Sequence, residues 1–254
     1  MNYPLVSVIM NCFNAEKYLE EAIQSVISQT YNNWEIIFWD NNSTDKSPEI
    51  VRSFQDKRIK YFKNSKTDII YKARNLAIQK SSGSLIAFLD CDDIWKKDKL
   101  SEQLKLVSNE KKIIYGGYEL IDRKGQKINK IYNSNKKFST FNQLVFRKTV
   151  SIGSILIDSE ILKNNLFNPE YHLMGDFELW FRLSLNYKFT NLNKIVELSR
   201  RHDENISKTE KSRLWVKERR MFYKDFFKNA SFIRNPEIII YVLISELESL
   251  VLRR

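Results

Sequence analysis

The chain has 254 residues, of which 43% are apolar and 13% are aromatic. That length and composition are typical of a globular protein with a sizeable core, and they exclude a disordered chain. The 42 basic side chains outnumber the 31 acidic ones, which gives a net charge of +11, and the whole surplus lies after residue 110.

A basic second half fits three kinds of partner: nucleic acid, an anionic membrane surface or an anionic substrate. Cys12 and Cys91 form no C-x-x-C pair, which favours a reducing compartment without disulfides or structural zinc. The first residues lack the basic region of a signal peptide. The longest apolar run near the C-terminus, 238–244, is far shorter than the ~20 residues of a membrane span. We therefore expect a cytoplasmic protein.

The first half of the chain alternates predicted strands with predicted helices. Buried strands are predicted at Leu5–Met10, Trp34–Trp39, Ile59–Phe62 and Leu85–Leu89. Helices are predicted at 15–29, with Asn14 as the N-cap, and at 45–56 and 70–80. This alternation, with short connections, indicates an α/β fold with a Rossmann-like, mostly parallel central sheet flanked by helices.

Three carboxylates, Asp90, Asp92 and Asp93, directly follow the predicted strand Leu85–Leu89. In open α/β sheets, ligands bind at the carboxyl ends of the strands. Crowded carboxylates raise one another's pKa unless a cation neutralises them. The motif therefore favours a divalent metal, Mg²⁺ or Mn²⁺, while a charged, solvated loop is the alternative for any single D-x-D motif.

Asp40 follows the strand Trp34–Trp39 in the same way, and both strand ends can open onto one crevice. A nucleotide would fit there, with Asp40 or Asn41 hydrogen-bonding the base or ribose and Phe13 packing on the base. Helix capping is the alternative role for Asp40. The chain has no G-x-G-x-x-G motif and no Walker lysine loop, so metal and side chains would have to hold the diphosphate.

Five segments, in this order, resemble the inverting family 2 glycosyltransferases of the GT-A fold. They are residues 6–45, KARNLAI at 72–78, GSLIAFLDCDDIW at 83–95, MGDFELWFRL at 174–183 and RRHDENIS at 200–207. The resemblance implies a GT-A domain over 1–207, with a nucleotide-binding half at 1–110 and an acceptor half at 111–207. A helical C-terminal extension would follow at 208–254.

The resemblance also implies roles for individual residues. It assigns Asp92 and His202 to the metal, with Arg200 near the diphosphate, and Asp176 to the role of catalytic base. The residues that it assigns to the donor nucleotide are Asn11, Phe13, Asp40, Asn41, Arg74 and Asp90, of which Asp90 could instead bind the metal.

The chain departs from the family pattern at three positions. Asn11 stands where proline is usual. Asn41 stands in place of the second residue of an Asp-Asp pair, although its amide can still hydrogen-bond a uracil. Gly175 often has Glu as its counterpart, which leaves Asp176 as the lone carboxylate at the helix start and Glu178 as the nearest substitute.

The implied reaction is metal-dependent, inverting transfer of a sugar from a UDP-sugar to a glycan or lipid-linked acceptor, in surface polysaccharide synthesis of the O-antigen or capsule type. Inversion needs a general base opposite the leaving group. The positive N-terminus of an apolar helix would lower the pKa of Asp176, whereas burial beside Trp180 would raise it. The sequence leaves open which effect is larger.

The second half carries predicted strands at Lys112–Tyr118 and Ile152–Asp158, with a hairpin or loop at 123–137 between them. Aromatic and charged residues alternate over 208–228, and Pro236 suits the first turn of a last helix at 236–252. Three alternatives remain for these C-terminal helices: peripheral contact with the inner face of a membrane, packing on the catalytic domain, or packing on a second subunit in a homodimer.

Two other functions compete with sugar transfer. A nucleic-acid-binding protein would place basic residues among aromatics on one exposed sheet face. Here the aromatics fall within strands and helix cores, so we expect no nucleic acid partner. A nucleotidyltransferase would want a basic phosphate-holding loop near the N-terminus, and residues 10–16 offer none.

Overall fold

The computed structural model describes residues 3–132, 150–203, 205 and 212–228. The described strands are β1 (Val6–Cys12), β2 (Trp34–Asp40), β3 (Ile59–Lys63), β4 (Leu85–Phe88), β5 (Ile94–Trp95), β6 (Ile113–Ile121), β7 (Lys127–Tyr132), β8 (Ile155–Asp158) and β9 (Phe189–Arg200). The α-helices are α1 (Leu19–Ile27), α2 (Ser47–Ser53), α3 (Ile70–Gln79), α4 (Lys99–Leu104), α5 (Ser159–Lys163), α6 (Gly175–Ser184) and α7 (Ser212–Lys228).

One sheet contains all of these strands, in the order β3-β2-β1-β4-β8-β6-β9-β5, with β7 paired to β6. The pairs β1–β2, β1–β4 and β2–β3 are parallel, as the alternation of elements predicts. β8 runs antiparallel to both β4 and β6, and β6 is parallel to β9. The α/β class with flanking helices is confirmed.

Strand register brings several predicted site residues to one edge. Cys12 at the end of β1 lies opposite Asp40 at the end of β2, and Ile9 lies opposite Phe88, the last residue of β4. The carboxyl ends of β1, β2 and β4 therefore meet where Asn11, Asp40 and the Asp90–Asp93 segment emerge. This edge is the place where an open α/β sheet binds its ligands.

A separate apolar layer covers each face of the sheet. On one face, Leu19, Ala22, Ile23 and Val26 recur at helical spacing on α1 and are buried with the side chains of β1 and β2. On the other face lie α3, α6 and α7, whose buried members include Ala77, Trp180 and Phe222. Each fully buried large apolar side chain contributes about 1.5–3 kcal/mol of transfer free energy, so both layers hold the sheet edge in place.

Some predicted element boundaries are wrong. Asn14 is not the N-cap of α1, which begins only at Leu19 without a side-chain cap. Asn14 instead has a left-handed backbone, with φ of 52°, and its side-chain oxygen accepts a hydrogen bond from the Thr44 N–H at 2.9 Å. This bond ties the loop after β1 to the loop after β2.

The second half differs from prediction in more places. The predicted strand Ile152–Asp158 begins as a 3₁₀ turn, Ile152–Ser154, and only then continues as β8. The stretch at 123–137 is a hairpin as far as β7 extends, with Gly125 at φ of 80° in its turn. Its last residues, 133–137, and the predicted helix at 236–252 lie outside the described residues.

Helix α7 packs on the core layer that contains α6. The Phe222 ring contacts the Phe177 ring at a centroid distance of 5.2 Å and the Phe181 ring at 4.9 Å. Phe222 and Tyr223 therefore belong to the same core as the sheet. No helix in the described ranges is both long enough and apolar enough to span a bilayer.

Candidate active site

The first part of the site is an ion pair between Asp90 and Arg74. Asp90 follows β4 directly, and its Oδ1 accepts a hydrogen bond from Arg74 Nη2 at 2.5 Å. Arg74 projects from α3 and is only 4% exposed. Burial lowers the pKa of this guanidinium, but Asp90, Tyr71 and Asp176 together raise it further than burial lowers it. Arg74 is therefore a buried cation that pairs with Asp90 and also interacts electrostatically with Asp176.

The second part joins Asp92 to His202. His202 Nε2 lies 2.9 Å from Asp92 Oδ2, and the Asn205 amide donates to the same oxygen at 3.0 Å. Burial and the neighbouring charge of Asp90 raise the pKa of Asp92, and the contact with His202 partly offsets that rise. A cation bound at Asp92 would relieve the repulsion between the two carboxylates. The two residues that the resemblance assigns to the metal are therefore in direct contact, and their role as metal ligands stays a prediction.

Arg200, at the end of β9, makes hydrogen bonds to the D-x-D loop. Its Nε donates to the Asp92 carbonyl at 2.9 Å and its Nη2 to the Glu21 carboxylate at 2.5 Å. Its own N–H donates to Asp93 Oδ1 at 2.7 Å. The Arg200 side chain is 2% exposed, and its guanidinium lies over the Tyr18 ring. Arg200 therefore holds the Asp92–Asp93 backbone in place.

Asp93 is buried and forms a second acidic group with the buried Glu197. Burial raises the pKa of Asp93 well above its usual range, and Asp92 and Glu197 add to the rise. Burial likewise raises the pKa of Glu197 to about 7 and lowers that of Lys99 to about 7. These groups lie beneath the D-x-D loop and form part of its support.

Asp176 is the second residue of α6. Its Oδ1 accepts hydrogen bonds from the Phe177 N–H at 2.8 Å and from the Tyr71 hydroxyl at 3.3 Å. Burial raises the pKa of Asp176, Arg74 counteracts that rise, and Asp90 adds to it. Burial and Asp90 together thus raise this pKa by more than Arg74, the Phe177 N–H and the Tyr71 hydroxyl lower it. Asp176 is therefore close enough to Arg74 and Asp90 to interact electrostatically with both.

The side chains of Asp40, at the end of β2, and of Asn41, which follows it, form hydrogen bonds within the protein. Asp40 is fully buried and accepts from the Ser43 N–H at 2.7 Å and from the Tyr61 hydroxyl at 2.6 Å. The Asn41 amide donates to the Asp68 carbonyl at 2.8 Å, and its oxygen accepts from the Asp68 N–H at 3.0 Å. Both side chains shape the loops around the crevice, and their roles toward a base stay predictions.

Asn11 and Phe13 have different surroundings. Among the described residues, neither polar atom of the Asn11 side chain has a hydrogen-bond partner, although both atoms are buried. Asn11 lies opposite Trp39 in the β1–β2 register. Phe13 is 52% exposed, so its ring faces solvent at the mouth of the crevice. An unpaired amide and an exposed ring are the features that a nucleotide would complete.

Sequence reasoning missed three side chains at this edge: Tyr71, Asn205 and Tyr61. Tyr71 carries the clearest signal, because it lies one turn before Asn75 on the helix of the predicted KARNLAI segment. The hydroxyl of Tyr71 contacts Asp176 from a position 105 residues away. Asn205 lies within the RRHDENIS segment, where its side-chain oxygen accepts from the His202 N–H at 2.7 Å, but its contact with Asp92 is long-range. The contact of Tyr61 with Asp40 depends on the pairing of β2 with β3, for which the sequence alone gives no pattern.

The family model described as "Glycosyl transferase family 2" matches residues 7–163, which span β1 to α5. The chain belongs to glycosyl transferase family 2. The matched segment contains the D-x-D loop, Arg74 and the loops after β1 and β2. Asp176 and His202 lie beyond it, so their roles depend on the geometry described above.

Named relatives agree with this family. One relative is the Escherichia coli UDP-Glc:alpha-D-GlcNAc-diphosphoundecaprenol beta-1,3-glucosyltransferase WfgD. The two chains are 34% identical over 190 residues, and the match covers 74% of this chain and 73% of that protein. The structure of S. aureus TarS in complex with UDP-GlcNAc matches with a TM-score of 0.71 at 19% identity, over 85% of this chain and 65% of that one.

A third match is the mannosyltransferase PcManGT of Pyrobaculum calidifontis, solved in complex with GDP-Man and Mn²⁺. Its TM-score is 0.64 at 16% identity, over 97% of this chain and 70% of that one. The two structural matches support the GT-A fold that the sequence predicts.

Proposed function

We propose that this protein is a metal-dependent, inverting glycosyltransferase that moves a sugar from a UDP-sugar to a lipid-linked or glycan acceptor in surface polysaccharide synthesis. The observation that carries the proposal is the cluster at the carboxyl edge of the sheet. Asp92 contacts His202, and Asp90 pairs with Arg74. The charges of both Arg74 and Asp90 act on the pKa of Asp176.

A divalent cation fits the donor set of Asp92 and His202. The described residues include no group of three or more His, Cys, Asp or Glu side chains that could hold a metal, so a closed all-protein site is not available in this part of the chain. Mg²⁺ and Mn²⁺ at sugar-nucleotide sites need only one or two protein ligands, because phosphate oxygens and water fill the other positions. When bound, the cation would supply charge neutralisation for the leaving diphosphate.

Asp176 is the proposed general base for the acceptor hydroxyl. Its raised pKa increases its affinity for a proton, and the ideal base has a pKa near the operating pH. The Tyr71 hydroxyl and the Phe177 N–H hold the carboxylate through Oδ1. Arg74 keeps enough positive charge nearby for the carboxylate to ionise. Asp90, already paired with Arg74, is suited to orient the ribose rather than to accept the proton.

The names of similar proteins support the proposed donor and acceptor classes. WfgD is named for a UDP-glucose donor and a diphosphoundecaprenol acceptor, and TarS was solved with UDP-GlcNAc. The unpaired Asn11 amide and the exposed Phe13 ring would bind the base in this chain. The positive surplus of the second half suits an acceptor that carries a diphosphate. A protein acting on such a lipid would work at the inner, cytoplasmic face of the membrane.

A turnover screen tests the proposal. Purified protein is incubated with UDP-sugars and GDP-sugars, with Mn²⁺, Mg²⁺ or EDTA, and release of nucleoside diphosphate is measured with a polyprenyl-diphosphate sugar acceptor. We expect Mn²⁺-dependent release of UDP and an inverted anomeric centre in the product. EDTA-insensitive transfer would contradict metal dependence, and activity confined to GDP-sugars would contradict the donor assignment.

A further inference from the structure

Glu218 is a buried carboxylate on α7, outside the family-matched segment. It is 1% exposed and lies on the same face of the helix as the core residue Phe222, four positions later. A carboxylate on an apolar helix face is costly unless hydrogen bonds replace the lost water. Its partners therefore indicate why the position is acidic.

Three successive backbone N–H groups bind this carboxylate. Oε1 accepts from the His172 N–H at 2.6 Å. Oε2 accepts from the Leu173 N–H at 3.0 Å and from the Met174 N–H at 2.8 Å. Charge-assisted hydrogen bonds of this kind are about twice as strong as neutral ones. Glu218 thus fixes the backbone of the loop that leads into α6.

That loop ends at the proposed catalytic base. Met174 is the N-cap residue of α6 and makes no side-chain capping bond, so α6 has no capping side chain of its own. Glu218 accepts from the N–H of this N-cap residue and places a negative charge at the positive end of the α6 dipole. Asp176 lies two residues after Met174.

The Tyr71 ring also packs against the first turn of α6. A Cβ added at Gly175 would lie 2.6 Å from the Tyr71 ring, so the backbone packs directly on that ring. The Tyr71 hydroxyl then contacts Asp176. Tyr71 therefore contacts the first turn of α6, and the Glu218 carboxylate binds the backbone that leads into it.

We propose that Glu218 is a positioning residue, which sets the place of the Asp176 carboxylate by binding the backbone of residues 172–174. This inference rests on the proposed function, because it assumes that Asp176 is the base. It gives α7 an indirect part in catalysis, through the position of Asp176, whereas the sequence assigned residues 208–254 only to an extension.

The test is Glu218→Gln. A glutamine amide offers one acceptor oxygen, and its NH₂ would face an N–H donor, so the three-bond arrangement cannot form. A misplacement of about 1 Å in a reacting group can cost about 100-fold in rate. We expect kcat to fall by about 10- to 100-fold, while the KM for the sugar nucleotide stays within about twofold because the donor pocket is untouched.

The matched control is Glu170→Gln, which makes the same chemical change at an exposed side chain of the same loop. Calorimetric titration with UDP and Mn²⁺ gives the number of binding-competent molecules, so kcat is expressed per functional site. A protein that had only lost folded molecules would then keep a wild-type kcat, and that result would overturn the proposal.

A second variant, Glu218→Asp, keeps the charge but shortens the side chain by one methylene, and it carries the test if Glu218→Gln gives no folded protein. We expect an intermediate kcat per site with an unchanged donor KM, and a wild-type kcat would overturn the positioning role. Asp176→Asn separates the two proposals: wild-type turnover in that variant removes the base itself. Loss of turnover in Asp176→Asn, with wild-type kcat in both Glu218 variants, removes only the inference about Glu218.

Discussion

Replacing Arg74 with methionine removes the buried cation that pairs with Asp90 and interacts electrostatically with Asp176. Methionine keeps much of the length and the apolar stem of the side chain. The variant loses the 2.5 Å ion pair with Asp90 and the contact of the guanidinium with the Tyr71 ring. It leaves two carboxylates at the sheet edge without their positive neighbour.

The expected cost follows from the burial of the pair. Removing one partner of a buried ion pair costs about 3–5 kcal/mol. The Arg74 side chain is 5% exposed, whereas that of Asp90 is 35% exposed, so water partly screens the remaining carboxylate and the lower end applies. We expect Arg74→Met to lower the free energy of unfolding by about 3 kcal/mol, and the melting temperature by about 6–12 °C.

Urea unfolding at pH 7 measures this loss, and Lys72→Met is the matched control. Lys72 lies on the same helix and pairs with Asp68, but its side chain is 49% exposed, so its removal should cost at most about 0.5 kcal/mol. Adding Asp90→Asn to Arg74→Met should recover part of the loss, because the uncompensated charge is then gone. Equal losses in Arg74→Met and Lys72→Met would refute the reasoning.

Two further variants test the charges of the D-x-D region. Asp92→Asn should abolish the Mn²⁺-dependent part of UDP binding in calorimetry, while the exposed control Asp98→Asn leaves it intact, and unchanged Mn²⁺ dependence would count against Asp92 as a ligand. Glu197→Gln tests the buried acid group. In the folded state burial raises the Glu197 pKa from 4.5 to about 7, so the native protein holds a proton there that the unfolded chain releases. Wild-type stability should therefore fall between pH 4.5 and pH 7 by about 3 kcal/mol from this group, and the neutral Gln should remove that slope. An identical pH dependence of urea unfolding in both proteins would contradict the assignment.

The first half of the fold could be predicted because its signals are local. β4 is a continuous apolar run and β1 is a mostly apolar one, both buried along nearly their whole length, and helical periodicity marks α1 and α3. In each case one short window of sequence carries enough information to assign the element. The D-x-D motif at Asp90–Asp92 is predictable for the same reason, since it directly follows such a strand.

β9 escaped prediction because its pattern is mixed. Its twelve residues alternate irregularly between buried and exposed, and Asn193 has a left-handed backbone, with φ of 58°. Neither a period of two nor an unbroken apolar run is present. The strand forms because β6 and β5 lie on either side of it, which is information that no local window contains.

The roles of polar residues were harder to predict than their positions. Asp40 and Asp90 both follow buried strands, yet Asp40 is enclosed by Ser43 and Tyr61 whereas Asp90 faces Arg74 at the crevice. The bracing role of Arg200 depends on four groups that are distant in the chain. Such roles follow from the three-dimensional arrangement, which the spacing of residues along the chain does not specify.

Turnover and UDP binding in Asp176→Asn, measured side by side, test the central claim most directly. The asparagine can still accept from the Phe177 N–H and the Tyr71 hydroxyl, so the site should stay folded. Loss of a general base lowers kcat by about 10²- to 10⁴-fold, and we expect that loss with the UDP dissociation constant within about twofold of wild type. Wild-type turnover would show that Asp176 does not take the acceptor proton, and the account of this site would be wrong.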